Sequence, residues 1–202
     1  MSSKIPALAA VLAVALAGAV QAQPAPPAAV QPGTYAIETS HARVLFAVNN
    51  LGFSTWYGDF SHASGTLVLD PKTPANSHVE VSVPTASVST TNAVLDGELK
   101  SPDWFDAVKF PTIAFKSIKV TATAANRAEV QGELTLHGVT RPVTLTATFN
   151  AAGANPMNKA YTVGFEVTGK IKRSDFGVSR YVPAVGDEVT LIISAPFVRN
   201  PG

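Results

Sequence analysis

The sequence predicts an all-β protein in which about eight antiparallel strands form a closed barrel or a sandwich, with one helical interruption. The pattern is clearest in residues 132–149, GELTLHGVTRPVTLTATF, where apolar and polar residues alternate on both sides of a Gly-containing turn. Period-two alternation across such a turn is typical of an antiparallel hairpin with one apolar and one polar face. The same alternation recurs from Tyr35 onward, and prolines and glycines fall between the runs, where turns are needed.

Residues 1–22 have the three parts of a secretory signal peptide. Lys4 supplies the positive charge, residues 7–20 form the apolar middle, and Ala22 ends a run of small residues at a cleavage site. The apolar middle is shorter than the roughly 20 residues that a membrane-spanning helix needs. We therefore expect cleavage after Ala22 and export of the mature chain, with a retained membrane anchor as the alternative.

The composition of the mature chain limits the classes of partner. Cleavage would leave 180 of the 202 residues, which is the size of one domain. The chain has no cysteine, so its stability must come from an apolar core. Lys4 is the only charged residue removed, which leaves 14 basic and 14 acidic residues. This balance argues against a nucleic acid or an anionic membrane surface as an electrostatic partner.

A Pro- and Ala-rich segment, residues 23–33 (QPAPPAAVQPG), separates the signal peptide from the strands. Its composition predicts an extended tether with nothing to bury. A single domain is expected over residues 34–200. Eight strands are predicted within it, at residues 43–49, 65–69, 78–83, 112–120, 128–136, 139–150, 161–171 and 188–198, and a further short strand at 54–60.

The helical interruption lies in residues 91–111, TNAVLDGELKSPDWFDAVKFP. Thr91 or Asn92 can cap a first helix, because their side chains accept hydrogen bonds from free backbone N–H groups. Leu95 and Leu99 lie one turn apart and would share the face that packs on the barrel.

A second helix is predicted to begin at Ser101-Pro102-Asp103, a capping residue followed by Pro and an acidic residue in the first turn. Pro111 would end it. On this interpretation Asp103 belongs to the cap and Asp106 to a solvated helix face.

The sequence contains no recognisable catalytic or metal-binding motif. The four histidines, His41, His62, His78 and His137, are too far apart in sequence for a metal-binding helix or ribbon, and there is no thiol nucleophile. No Gly-x-Ser-x-Gly elbow and no phosphate-binding glycine loop occurs. His137 precedes Gly138 and is interpreted as a turn residue. We therefore predict no catalytic residues, no metal and no cofactor, although residues distant in sequence could still assemble a site.

Aromatic residues recur along the whole chain and leave two interpretations open. An eight-stranded barrel can be filled by its own side chains, or it can leave room for one small ligand. A packed core and a cavity wall use the same residue types, so the pattern alone does not decide between them. The residues concerned are Phe46, Phe53, Trp56, Tyr57, Phe60, Trp104, Phe105, Phe110, Phe115, Phe165 and Phe176.

Four stretches, residues 40–70, 99–117, 130–149 and 168–193, together resemble the YceI-like family of exported polyisoprenoid-binding proteins. The most specific parts are WFD…FP at 104–111, LHGVTRP at 136–142 and RSDFG at 173–177. The likeness runs from about residue 35 to 198. One departure is Asn50, which stands where many relatives carry His. If this position meets the polar end of the ligand, we expect a head group different from the one that those relatives bind.

The resemblance implies an extended lipocalin-like antiparallel barrel with a helix and a long apolar tunnel for an isoprenoid chain, such as a quinone or polyprenyl lipid. It implies a periplasmic, non-enzymatic protein that contacts membranes transiently and is a dimer in many relatives. On this basis the apolar face of 132–149 should face a tunnel and the threonines should face water. We expect a carrier or buffer that exchanges its lipid at a membrane.

The ligand-binding residues are predicted from inward strand positions and from the helical segment, and a one-residue register slip would invert a whole strand. The apolar set is Phe46, Val48, Phe53, Leu67, Leu69, Val81, Val83, Leu95, Leu99, Trp104, Phe105, Phe115, Leu134, Leu136, Leu145, Phe165 and Phe176. The candidates for the polar end of the ligand are Asn50, Arg141, Arg173 and Asp175. For Arg173 and Asp175 a structural ion pair or turn bond is the alternative, and Arg141 could simply complete its turn.

Two further functional classes stay open from the sequence. One is an enzyme that acts on a small apolar substrate inside the barrel, with Asp175 and His137 as its best candidate residues. The other is a ligand-free interaction or stress module of the cell envelope, which would have a fully packed core and an exposed apolar patch.

Overall fold

The computed structural model describes residues 29–200, which form one ten-stranded antiparallel sheet and one α-helix. The predicted signal peptide and most of the predicted tether lie outside the described residues. The elements are β1 Gly33–Ile37, β2 Arg43–Asn50, β3 Ser54–Phe60, β4 Ser64–Leu69, β5 His78–Pro84, α1 Ala93–Lys100, β6 Thr112–Ala124, β7 Arg127–Leu136, β8 Val139–Ala154, β9 Tyr161–Lys172 and β10 Val185–Arg199. Short 3-10 turns occupy Pro74–Asn76, Thr85–Ser87 and Arg173–Phe176.

Eight of the strands form a closed ring because β1 pairs with a strand on each side. Tyr35 lies opposite Leu67 of β4 and also opposite Arg199 of β10. The ring then runs β4, β5, β6, β7, β8, β9 and β10 through antiparallel neighbours. Closure pairs the backbone N–H and C=O groups that the edge strands of an open sheet would leave exposed. It also gives the sheet an inside and an outside.

Strands β2 and β3 extend the sheet from the same edge of β10 that β1 occupies. β2 pairs with β10 from Val185 to Ser194, and β1 takes over from Phe197 to Arg199. β3 continues outward from β2 as a hairpin. One edge of a single long strand therefore carries two partners in succession.

The predicted eight-stranded barrel is confirmed, with one difference in which strands form the ring. The predicted strand at 43–49 is β2, which lies outside the ring, and the short strand predicted at 54–60 is its partner β3. The eighth ring strand is β1, which the sequence pattern does not predict because five residues beside a Pro-rich segment give little periodicity. β6 and β8 also run four residues beyond their predicted ends.

The first predicted helix is confirmed as α1. Asn92 caps it, since its Oδ1 accepts hydrogen bonds from the backbone N–H groups of Val94 and Leu95 at 3.1 and 3.2 Å. The second predicted helix is wrong. Residues 101–110 form consecutive turns, and Asp106 has a φ of +46°, outside the right-handed helical region. Asp103 is not a cap residue but forms an ion pair with Arg180 at 2.6 Å.

The hairpin predicted in 132–149 is confirmed as β7 and β8. His137 and Gly138 both have positive φ, +51° and +74°, as a two-residue turn with the twist of the adjoining strands requires. Leu136 therefore pairs with Val139, and the register places Val130 opposite Leu145. The predicted role of His137 as a turn residue is confirmed.

The end of the predicted tether differs from the expectation that it buries nothing. Val30 is only 4% exposed and packs in a core cluster with Tyr35 of β1. The backbone N–H of Gln31 donates to the Tyr161 hydroxyl at 3.2 Å, and Gln31 O accepts from the Tyr35 hydroxyl. Burial of one branched side chain therefore fixes the chain before β1 begins.

Most of the buried apolar residues form two clusters. The helix-end cluster lies beside α1 and comprises Ala42, Phe46, Phe60, Ala63, Val83, Val88, Leu99, Trp104 and Val178. The β1-end cluster comprises Val30, Tyr35, Leu67, Val163, Ala195 and Phe197. In the part of the chain that the structure describes, no helix has the length and apolar character needed to span a membrane.

The close packing at Gly132 generates a stability prediction. A Cβ atom there would overlap the carbonyl oxygen of Lys116 and lie 2.5 Å from Phe115 Cζ. We expect Gly132→Ala to lower the free energy of unfolding by about 1–3 kcal/mol, because the added methyl group strains the β6–β7 pairing. Gly97→Ala in α1 is the matched control, since nothing lies within 4 Å of its Cβ position.

Denaturant unfolding of both variants provides the measurement. Gly97→Ala should stabilise the protein by roughly 0.5–1 kcal/mol, because alanine loses less backbone entropy in a helix. A Gly132→Ala variant as stable as the original protein would contradict the packing described for this position.

Candidate functional site

A cavity of about 570 Å³ lies inside the barrel and is lined almost entirely by apolar side chains. At one end it reaches α1 and the segment that joins β9 to β10. At the other end it reaches the turn between β6 and β7 and the loop between β4 and β5. Its volume lies within the range typical of small-molecule sites, roughly 300–1,000 Å³.

Strand alternation builds the cavity wall, as the hairpin of β7 and β8 shows. Its apolar positions, Leu134, Leu136, Val143, Leu145, Ala147 and Phe149, all line the cavity, while the intervening threonines of β8 do not. The prediction that the apolar face of 132–149 faces a hollow interior is therefore confirmed. The cavity persists because the inward residues, although apolar, do not fill the ring.

Most of the predicted site residues line this cavity. Their contact with a ligand stays a prediction, whereas their position on the wall is a feature of the structure. They are Phe46, Val48, Asn50, Leu67, Leu69, Val81, Val83, Leu95, Leu99, Trp104, Phe105, Phe115, Leu134, Leu136, Leu145, Phe165 and Arg173.

Four predicted site residues do not line the cavity, so their assignment to its wall is corrected. Phe53 lies at the end of the β2–β3 turn and is 90% exposed. The inward positions of β3, which begins at the next residue, are the even-numbered ones from Trp56. Phe176 and Asp175 lie in a 3-10 turn, where strand alternation no longer applies, Phe176 buried and Asp175 exposed. Arg141 is exposed on β8 beside the hairpin turn.

Several lining residues were absent from the predicted set. Trp56 could have been found, since it alternates with Gly58 and Phe60 on a strand that was predicted. Val178 and Tyr181 come from the irregular segment between β9 and β10, which carries no periodic signal.

The aromatic end of the cavity is organised around Trp104. Its indole Nε1 donates to the Glu98 carboxylate at 3.1 Å, which fixes the ring against α1. The Tyr181 ring packs edge-on with a centroid separation of 6.1 Å, and the Arg173 guanidinium lies 5.4 Å from the Trp104 ring centroid. Trp56 also lines the cavity, and its Nε1 is buried without a hydrogen-bond partner within residues 29–200.

Arg173 is the single buried charged side chain of the described residues, with 6% of its surface exposed. Its Nε and Nη2 donate to the carbonyl oxygens of Gly186 and Val185, and its Nη1 donates to that of Val178, all at 2.8–2.9 Å. These bonds hold the segment between β9 and β10 against the barrel. The structural turn-bond alternative for Arg173 is therefore confirmed.

No carboxylate neutralises Arg173 directly. Within residues 29–200, no carboxylate oxygen lies within 4.0 Å of its side-chain nitrogens. Asp187 is engaged by Ser174, whose backbone N–H and hydroxyl donate to it at 2.9 and 2.8 Å. Burial lowers the pKa of Arg173, opposed by the charge of Asp187. The hydrogen bond from the Ser174 N–H lowers the pKa of Asp187.

The two candidate residues of the enzyme alternative lie outside the cavity wall. Asp175 is exposed, and His137 Nδ1 lies 3.2 Å from the Phe176 carbonyl oxygen with its ring against Phe110. Within the described residues, no group of three or more His, Cys, Asp or Glu side chains is placed to hold a metal ion. The geometry therefore assembles an enclosed apolar space with one buried cation on its wall.

A YceI-like domain model matches residues 35–197, which include every strand from Tyr35 of β1 to Phe197 of β10. The chain belongs to the YceI-like family. Protein YceI of Escherichia coli O157:H7 is 39% identical over 163 residues, which cover 81% of this chain and 84% of that relative. The predicted family resemblance is confirmed.

Two solved structures share this YceI-like fold. Burkholderia cenocepacia BcnA has a TM-score of 0.72 at 24% identity and covers 79% of this chain and 98% of its own. A polyisoprenoid binding domain from Saccharophagus degradans, implicated in plant cell wall breakdown, has a TM-score of 0.63 at 13% identity and covers 84% and 100%. At these identities the likeness establishes the barrel.

Proposed function

We propose that this YceI-like protein is an exported, non-enzymatic carrier or buffer that holds a long isoprenoid or similar chain lipid in the barrel cavity. The enclosed apolar cavity is the observation that carries the proposal. A YceI-type barrel that is described as a polyisoprenoid binding domain supports it. The oligomeric state stays a prediction from the family resemblance.

The dimensions of the barrel suit a threadlike ligand. β9 has twelve residues, and at roughly 3.3 Å per residue and a tilt of about 40° such a strand spans roughly 30 Å along a barrel axis. On β6 the lining residues extend from Ile113 to Ala124, which is also twelve residues, so the cavity follows a comparable length. A flexible apolar chain can follow this length, whereas a compact substrate would use only part of it.

The free energy of transfer favours a protein that shields the lipid tail from water and exchanges the lipid with a membrane. Burial of each CH₂ group contributes about 0.8 kcal/mol, so a tail of several isoprene units gains tens of kcal/mol on leaving water. A bilayer offers the same tail nearly the same gain. The carrier therefore competes only modestly with the membrane and releases its lipid there by transient contact.

Export to the periplasm is the second part of the proposal, and it rests on the charged start, the apolar middle and Ala22. Expressed at full length in a Gram-negative bacterium, the protein should appear in the osmotic-shock fraction with Gln23 as its first residue. Leu12→Arg with Leu16→Arg should abolish this processing, because both charges interrupt the apolar segment. A membrane-bound protein that keeps residues 1–22 would instead establish the anchor alternative.

The cavity also generates a binding prediction at Ala147, which lines its wall on β8 between Ala128 and Val167 of the neighbouring strands. Ala147→Phe places a ring where the tail would lie. The substitution should displace several CH₂ groups and weaken binding of geranylgeraniol by about tenfold or more. Binding can be measured by the change in tryptophan fluorescence during a titration with geranylgeraniol, because both tryptophans of the chain line the cavity.

Thr144→Phe is the matched control, since Thr144 is exposed on the same strand and does not line the cavity. This variant should bind geranylgeraniol like the original protein. Equal weakening by both substitutions, or no binding by any of the three proteins, would contradict a tail-binding role for the cavity.

A further inference from the structure

Resting on the proposed lipid-binding function, we infer that Arg173 receives the negatively charged end of the ligand, so that the cavity selects chain lipids with a phosphate or carboxylate head over neutral lipids of the same tail. Arg173 lines the cavity and is 6% exposed, whereas the other charged residues on the wall, Arg43, Asp70, Glu98 and Arg127, are not buried.

The guanidinium keeps hydrogen-bonding capacity after its structural bonds are made. An Arg side chain carries five N–H donors in a planar fork. Three of its nitrogens each donate once, to Gly186, Val185 and Val178. Within the described residues, one N–H group on each Nη atom has no protein acceptor, and guanidinium N–H groups are donors that carboxylates and phosphates accept.

Within residues 29–200, the positive charge of Arg173 has no carboxylate in direct contact, and Asp187 acts on it only from beyond 4.0 Å. Backbone carbonyls satisfy donors but carry no net charge, and a charge in an apolar interior is costly unless it is paired. The neighbouring acid, Asp187, is held by both donors of Ser174. An anionic head group that enters from the cavity would supply a directly contacting anion without disturbing these bonds.

The surroundings fix the orientation of such a ligand. Arg173 lies against Trp104 at the aromatic end of the cavity, where Asn50 and Tyr181 add polar atoms to the wall. The opposite end is lined by Ala124 and Ala128 of the β6–β7 hairpin. The head group would therefore sit beside α1 and the tail would run toward the β6–β7 turn.

The test compares lipids that share a tail and differ in the charge of the head. Geranylgeranyl monophosphate is titrated against geranylgeraniol, and palmitate against hexadecanol, into the delipidated mature protein. Charge-assisted hydrogen bonds predict that the acid of at least one pair binds roughly 10- to 100-fold more tightly than its alcohol. A preference in the first pair alone identifies a phosphate site, and a preference in the second pair a carboxylate site.

Variants then assign the preference to Arg173. Arg173→Met should bring the acid-to-alcohol affinity ratio to about one, and Arg173→Lys should leave an intermediate ratio, because it keeps the charge but loses the fork. Arg127→Met is the matched control, since it removes an arginine from the opposite end of the same cavity. It should leave the ratio unchanged.

If Arg173→Met does not fold, the acid and alcohol affinities of the original protein still test the inference. Equal binding of acid and alcohol in both pairs would overturn the inference while leaving the carrier function intact. A ratio that Arg173→Lys leaves unaltered would also overturn it. Failure of all four lipids to bind would overturn the proposed function itself, and the inference with it.

Discussion

Closure of the sheet through β1 is the constraint on which the rest of the structure depends. Because Tyr35 lies opposite residues of both β4 and β10, the ring has an inside toward which the inward strand positions point. The inward residues are apolar but too few and too small to meet across the barrel, and alanines such as Ala128 and Ala147 leave space in the wall. A cavity is thus a consequence of strand alternation in a ring of this size.

Within residues 29–200, Arg173 is the one buried charged residue, and it distinguishes one end of the largely apolar cavity wall from the other. Arg173 binds three carbonyl oxygens in the irregular segment between β9 and β10 and at the start of β10, and so holds this segment at the aromatic end. The same side chain makes that end electrostatically different from the β6–β7 end. An amphiphilic ligand has one polar end and one apolar tail, and a cavity polarised in this way can align it.

The parts of the fold with a repeating pattern were predictable from the sequence, and the irregular parts were not. Alternation identified the long strands and placed Leu134, Leu145 and their neighbours on the wall. It failed at Phe53 and Phe176, where the chain leaves a strand and the period of two no longer governs direction. The turns after Ser101 were mistaken for a helix because the capping pattern is local in sequence. It carries no information about the packing of Trp104 and Phe105 against the end of the barrel.

Native mass spectrometry of the exported protein, purified without detergent, can establish whether the barrel carries a lipid. We expect one added mass per chain, corresponding to a chain lipid, that disappears on extraction with organic solvent and returns when an isoprenoid is added back. A protein that carries no added mass, and whose mass stays unchanged in the presence of excess isoprenoid, would contradict a hollow barrel built to enclose a lipid.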